Sequence, residues 1–339
     1  MRNSYSFDDV LLVPKYSDIE SRKEVNIGNK LGEGINLDLP LISSPMDTVT
    51  EVEMLLKMDY FGGLGVLHRY NTAEKQSNLA IACKERGAKN VGAAIGMTGD
   101  YMERVQRLVE SGVNVLCVDV AHGHHKMMEA CLKTLKDKFP SVHVMAGNVA
   151  TLEAFDALAQ WGADSIRVGI GGGSICSTRI VTGHGVTTLQ SVLDVSRSEH
   201  DAKIIADGGI RTTGDMVKAY AAGADFIMVG SLLAGTDESP GEVHTNIKGL
   251  KYKSYRGMAS AMAQNDWRGK TSTPEGISTT VPYKGPVKNI LRNIKGGVQS
   301  GFSYSGARSM KELRANSEFI VQTSAGAAES STHILARSR

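Results

Sequence analysis

Residues 143–170 read HVMAGNVATLEAFDALAQWGADSIRVGI. The first seven, His143–Val149, are apolar without alternation, as a strand buried on both faces should be. Thr151–Trp161 then places apolar residues at three- and four-residue steps, the period of an amphipathic helix. Gly162 follows, suited to the left-handed turn past a helix C-terminus. Ser165–Ile170 opens a second apolar run. Strand, helix, glycine exit and next strand together make one βαβ unit.

The unit recurs in both directions. Apolar runs lie at Leu39–Met46, Gly62–His68, Val91–Gly96, Val115–Ala121, Lys203–Gly209 and Phe226–Ser231, which with the two above makes eight. Amphipathic stretches at Asp100–Ser111, His125–Phe139 and Thr213–Ala222 separate some of them. The exits SGV at Ser111 and AGAD at Ala222 repeat the glycine stop of WGAD at Trp161. Eight strands alternating with helices predict an α/β fold closed into a (β/α)8 TIM barrel, with an open doubly wound sheet as the rival. No second domain is visible across residues 1–339. Leu232–Gly285 loses the rhythm and is rich in Gly, Ser, Thr and Lys, so it reads as a long insertion after the eighth strand: a mobile flap. A last helical region covers roughly Val287–Leu313.

Composition narrows the function. Of 339 residues, 41% are hydrophobic, enough for a large core. Lys+Arg is 38 against 36 Asp+Glu, a formal charge of +2, which offers no general field for nucleic acid or an anionic membrane. No apolar run is long enough to span a bilayer, and Asp8 and Asp9 stand where a signal peptide needs apolar residues, so a cytoplasmic location is expected. The cysteines Cys83, Cys117, Cys131 and Cys176 lack CxxC spacing, which argues against a structural zinc site or a disulfide framework.

In such a barrel the active site lies at the C-terminal ends of the strands. Ser44, Asp47, His68, Asp119, His122, Asn148, Asp207 and Ser231 fall there, though any one alone could be a helix cap or a loop hydrogen bond. After the sixth strand comes GIGGGSICSTR, residues 169–179. Its glycines allow a tight backbone with N–H groups aimed at an anion or carbonyls at a cation, and Ser174 adds a hydroxyl suited to phosphate. Cys176 sits in this loop, whereas Cys117 lies in a strand and Cys131 in a helix. Backbone donors and Arg179 nearby would lower its pKa and make it a nucleophile; the bland reading is an inert loop thiol. IADGGIR (residues 205–211) and MVGS (228–231) end strands seven and eight, where barrels often hold phosphate. Gly208, Gly209, Gly230 and Ser231 supply donors there, and Asp207 accepts from ribose hydroxyls.

These motifs, with YRGM (residues 255–258), VPYKG (281–285), SSPMDTVTE (43–51) and AGNVAT (146–151), resemble the IMP dehydrogenase/GMP reductase family over nearly the whole chain. The resemblance implies that Cys176 attacks C2 of a purine 5′-monophosphate to give a covalent E-XMP* adduct. It implies that Ser44, Ser174, Gly208, Gly209, Gly230, Ser231 and Tyr255 belong to the nucleotide site, chiefly around its phosphate, with Asp207 on the ribose. Met46, Gly257, Met258 and Ala259 then lie by the base, and Asp119, Asn148 and Arg167 border the nicotinamide. Thr178 and Glu275 form the relay at C2. Carbonyls of Gly171, Gly173 and Cys176 would hold a monovalent cation such as K+, completed by Glu329 of a neighbouring subunit in a homotetramer.

The two branches of the family differ in what enters and leaves. A dehydrogenase oxidises IMP with NAD and hydrolyses the adduct; a reductase expels ammonia from GMP and reduces the adduct with NADPH. SSPMDTVTE, SICSTRIVTG and AGAAES resemble the dehydrogenases more closely. Against this, about 20 residues separate VLHRY from NVGAAIG, leaving no room for an inserted CBS pair. The flap, about residues 259–280, has no Arg-Tyr pair of the kind that activates water in dehydrogenases: Arg268 is followed by Gly269. The expectation is therefore GMP reductase, with IMP dehydrogenase as the alternative. A flavin-binding barrel and an inactive nucleotide-binding protein are the readings from other classes.

Overall fold

The computed structural model describes residues 2–330. Eight parallel strands close a ring: β1 (Leu41–Ser43), β2 (Leu64–Leu67), β3 (Gly92–Ile95), β4 (Val115–Asp119), β5 (His143–Val149), β6 (Ser165–Val168), β7 (Lys203–Asp207) and β8 (Phe226–Val229). They follow one another in chain order round the barrel, and β8 closes it on β1 through Ile227–Leu41, Met228–Ile42 and Val229–Ser43. The helices outside are α1 (Val52–Tyr60), α2 (Ala73–Glu85), α3 (Tyr101–Glu110), α4 (Lys126–Lys138), α5 (Leu152–Gln160), α6 (Thr188–Val195), α7 (Thr213–Ala221) and α8 (Val287–Tyr304). This is a (β/α)8 barrel, and the open-sheet alternative is excluded by closure.

Local chemistry sets the unit lengths. Thr72, Thr151 and Thr212 cap α2, α5 and α7, their hydroxyls accepting from Lys75, Ala154 and Asp215 amides. The three helix exits read from sequence end at Gly112, Gly162 and Gly223, with φ of +84°, +107° and +121°. Each return strand is thereby started at a fixed point. The strands are buried on both faces, with Ile42, Leu64, Val66, Cys117, Met145, Ile205 and Met228 filling the barrel interior. A hairpin, Asn29–Gly32 with Ile35–Leu37, seals that interior by adding Leu31, Ile35 and Leu37 to the same cluster. A second ribbon pairs Val10–Leu12 with Phe319–Val321 antiparallel, so the two ends of the described chain meet.

The insertion departs from expectation. Rather than lacking regular structure, residues 230–286 carry an antiparallel sheet of His244–Thr245, Lys251–Arg256 and Ser278–Pro282, and a helix at Ala261–Arg268. The sheet is tied to the loop that leaves β8 by Lys253, almost fully buried, whose ammonium donates to the Thr236 and Ser239 carbonyls. A buried lysine inside a polar stretch hides a strand from a hydropathy reading. The C-terminal helical region also divides, into α8 and Met310–Asn316. No described helix is long and apolar enough to cross a membrane.

The sealing hairpin gives a stability test. Leu37 is 1% exposed, so Leu37→Ala should lower the unfolding free energy by about 2–5 kcal/mol, read as a shifted urea midpoint, because a cavity is added to the lost transfer energy.

Candidate active site

All eight C-terminal strand ends open on one face, and there a cleft of about 440 Å3 is formed, within the range of small-molecule sites. The loop after β6 enters it by a close backbone approach. Gly169 has φ +147°, and a Cβ there would stand 2.0 Å from the Asp207 carbonyl, so no side chain fits. The loop then turns through Gly171, Gly172, Gly173 and Ser174 and delivers Cys176.

Cys176 is half-buried and faces the cleft. Its thiol donates to Thr178 Oγ1 at 3.2 Å, and the Thr178 hydroxyl donates to Glu275 Oε2 at 2.9 Å. The relay partners are 97 residues apart, yet backbone bonds fix them: Ser177 N–H donates to the Glu275 carbonyl at 3.0 Å, and Ile277 N–H to the Ile175 carbonyl at 3.0 Å. The Cys176 loop is thus laced to the segment that carries Glu275. The other three cysteines are buried, and burial pushes each thiol up to about 12. Arg179, expected beside the thiol, turns away instead. It packs against Gly171 and Gly185 and donates to the Val186 carbonyl at 2.8 Å, which leaves the cleft without it.

At one end of the cleft Ser174, Gly208, Gly209, Gly230, Ser231 and Tyr255 converge. The Tyr255 hydroxyl is raised above its ordinary range by burial, against hydrogen bonds with Ser174 and Ser231 that pull it down. A methyl placed on Gly230 would lie 3.1 Å from Met46 Sδ, 3.2 Å from Tyr255 Oη and 3.5 Å from Ser44 Oγ. That crowding of hydroxyls and bare backbone around one point suits a compact oxyanion. Met46, Gly257, Met258 and Ala259 line the adjoining wall.

Between this cup and the opposite end lies a buried charge cluster. Arg167 donates to Asp119 Oδ1 at 2.5 Å and to Asp207 Oδ2 from Nη2 at 2.8 Å and Nε at 3.2 Å. Asn148 Nδ2 donates to Asp207 Oδ2 at 2.8 Å and to the Gly169 carbonyl at 2.9 Å. Burial alone would disfavour the Arg167 cation; Asp207, Cys117 and Asp119 outweigh it and hold the guanidinium well above its ordinary range.

The far end adds residues that the sequence reading did not single out. Arg69, Tyr70 and Gln264 line it, with Arg268 of the flap helix. Arg69 Nη2 donates to the Asp119 carbonyl at 3.2 Å, and Tyr70 packs against Trp267 with ring centroids 6.1 Å apart. Arg69 and Tyr70 directly follow the run ending at His68, so their place past a strand end was the available signal.

Not every strand-end polar residue belongs to the cleft. His68 is buried against Glu51, with Nε2 and Oε1 3.0 Å apart, and that bond holds the Glu51 carboxyl below the usual carboxylate range. Asp47 accepts from Arg256 beside the cleft. His122 is exposed and outside the cleft lining. Glu329 ends an exposed helix, Ser324–Glu329, and does not line the cleft of its own chain.

Residues 4–333 match the model of the IMP dehydrogenase / GMP reductase domain. The chain is 33% identical to inosine-5′-monophosphate dehydrogenase of Nitrosopumilus maritimus, with 98% of each chain covered. It is 37% identical to the enzyme of that name from Borreliella burgdorferi, covering 98% of this chain and 97% of the relative. Among solved structures, an alanine variant of Trypanosoma brucei GMP reductase in complex with guanosine 5′-monophosphate superposes with a TM-score of 0.93 at 32% identity, with 98% of each chain covered.

The thiol contrast is measurable. At pH 8 a thiol whose pKa is near 12 is ionised to on the order of one part in ten thousand. Brief iodoacetamide treatment of the native protein should therefore modify Cys176 first, with the other three labelled only after unfolding. Peptide mass mapping checks this; early labelling of Cys83, Cys117 or Cys131 would contradict the described burial.

Proposed function

The chain belongs to the IMP dehydrogenase/GMP reductase family of purine-nucleotide oxidoreductases, and we propose that within it the protein is a GMP reductase. In this reading it is one catalytic barrel without a CBS pair, converting GMP and NADPH to IMP, ammonia and NADP. The observation that carries the chemistry is the Cys176–Thr178–Glu275 chain of hydrogen bonds facing a cleft that ends in a phosphate cup.

GMP would lie with its phosphate among Ser174, Gly209, Gly230, Ser231 and Tyr255, its ribose at Asp207 and its base against Met46, Met258 and Ala259. Ser44, Gly208 and Gly257 complete that wall. Cys176 then forms a bond to C2 of the purine, while its proton passes along Thr178 toward Glu275. The same pair returns a proton to the 2-amino group, which leaves as ammonia and gives the E-XMP* adduct. Reduction at C2 lets the thiolate depart and releases IMP. The nicotinamide supplies that hydride when bound. The end bounded by Asp119, Asn148, Arg167, Arg69 and Tyr70 suits its carboxamide-bearing ring, since fixed polar groups there flank a flat aromatic surface. A monovalent cation at the carbonyls of Gly171, Gly173 and Cys176, with Glu329 of a second subunit in a homotetramer, is part of the same proposal. So is a cytoplasmic location.

The branch rests on the flap. Its helix presents Gln264 and Arg268 to the cleft, and Arg268 is followed by the helix-ending Gly269 rather than a tyrosine. Hydrolysis of the adduct needs a group to activate water; deamination needs only the Thr178–Glu275 relay. The alternative, IMP dehydrogenase with NAD, is favoured by the names of the curated relatives and by the position of Arg268 on the cleft.

Absorbance at 340 nm separates the two. Loss of NADPH with GMP, and no NADH formation from IMP, NAD and K+, is expected; the opposite pattern overturns the assignment. Cys176→Ala should abolish turnover while GMP still binds, measured by calorimetry. Tyr255→Phe should raise KM for the nucleotide about tenfold, as loss of one hydrogen bond to a charged group does. Arg268→Ala should leave kcat within a few-fold for a reductase and collapse it for a dehydrogenase.

A further inference from the structure

One guanidinium bridges the flap helix to the β1 loop. Arg256, at the end of the strand Lys251–Arg256, turns Nε and Nη2 to Asp47 Oδ2 at 3.0 and 2.6 Å, and Nη1 to Asp266 Oδ2 at 2.5 Å. Its backbone N–H is bonded to Thr48 Oγ1 at 3.3 Å. The two halves of the bridge differ. Asp47 is 13% exposed, follows Met46 on the cleft wall, and points its own N–H at Met258 Sδ. Asp266 is 56% exposed and stands on the flap helix Ala261–Arg268, directly before Trp267 and Arg268. An inner pair shielded from water is costly to break, whereas an outer, wet pair is weak and exchanges readily.

The outer pair sits beside the flap end of the cleft. Trp267 packs on Tyr70, and Arg268 and Gln264 line the same end of the cleft. Gln264 also hooks the following loop, accepting from the Ser272 amide at 2.8 Å and the Ser272 hydroxyl at 2.9 Å, and that loop leads to Glu275. The helix, its aromatic contact and the approach to the relay therefore lie in one unit that Arg256 ties to the β1 loop.

We propose that Arg256 is a positioning residue that latches the flap helix to the β1 loop, and that its pair with Asp266 is the half that opens when ligand enters or leaves the Arg69–Tyr70 end. The Arg256–Asp47 pair stays closed and keeps Met46 and Met258 in register with the nucleotide. The kinetic arm of the test rests on the GMP reductase reading; the exchange arm does not.

Asp266→Asn removes the outer pair on an exposed residue and leaves the inner one. Hydrogen–deuterium exchange of residues 261–272 should quicken two- to fivefold, with barrel strands and melting temperature unchanged. KM for NADPH should rise by a similar factor while KM for GMP holds, and Asp266→Glu should restore both. Unchanged exchange, acceleration spread through the barrel, or a KM for GMP that moves with that for NADPH overturns the latch. If neither nucleotide pair is turned over, the functional reading fails and exchange alone decides: faster flap exchange supports the latch, unchanged exchange overturns it.

Discussion

A buried guanidinium organises the mouth of this barrel. Arg167, 7% exposed, cannot stay charged there without partners, because an unpaired buried ion costs several kcal/mol. Asp119 from β4 and Asp207 from β7 supply them, and Asn148 from β5 braces Asp207. Four neighbouring strands, β4 to β7, are thus tied together at their ends by a charge requirement. Asp207 acts electrostatically on Tyr255 of the hydroxyl cup, and Asp119 lies 3.8 Å from Arg69, so the Arg167 cluster links the two ends of the cleft.

The glycine loop's close passage over the Asp207 carbonyl at Gly169 begins the turn that brings Cys176 into the cleft lining. The thiol is half-exposed where its three counterparts are sealed in apolar surroundings. Its location and the hydroxyl–carboxylate chain behind the sulfur set Cys176 apart from the other cysteines, while Arg179 donates elsewhere.

The barrel was legible because its strands are buried on both faces and its helices end on glycines; both signals are local. The cleft residues were legible because strand ends and long motifs mark them, from Ser44 after β1 to Ser231 after β8. What escaped had no local signal. The strand Lys251–Arg256 reads as polar because Lys253 satisfies its ammonium on carbonyls supplied by another segment, and only Tyr255 betrays an inward face. The ion pair of Arg256 with Asp47 joins residues 209 positions apart, a pairing no periodicity announces. His68 looked like site chemistry and proves to be a buried brace for Glu51.

The lacing of Ser177 and Ile277 to their partners across the flap bears on how the protein comes off the ribosome. A ring of strands can form once β8 has emerged, but the Cys176 loop then still lacks Glu275 and the strand Ser278–Pro282 that follows it. During synthesis all eight barrel strands are made before the hydrogen-bond chain behind the sulfur is complete, with α8 and the strand Phe319–Val321 still to come. A nascent chain halted between the two points would carry every barrel strand but neither α8 nor the carboxylate behind Thr178.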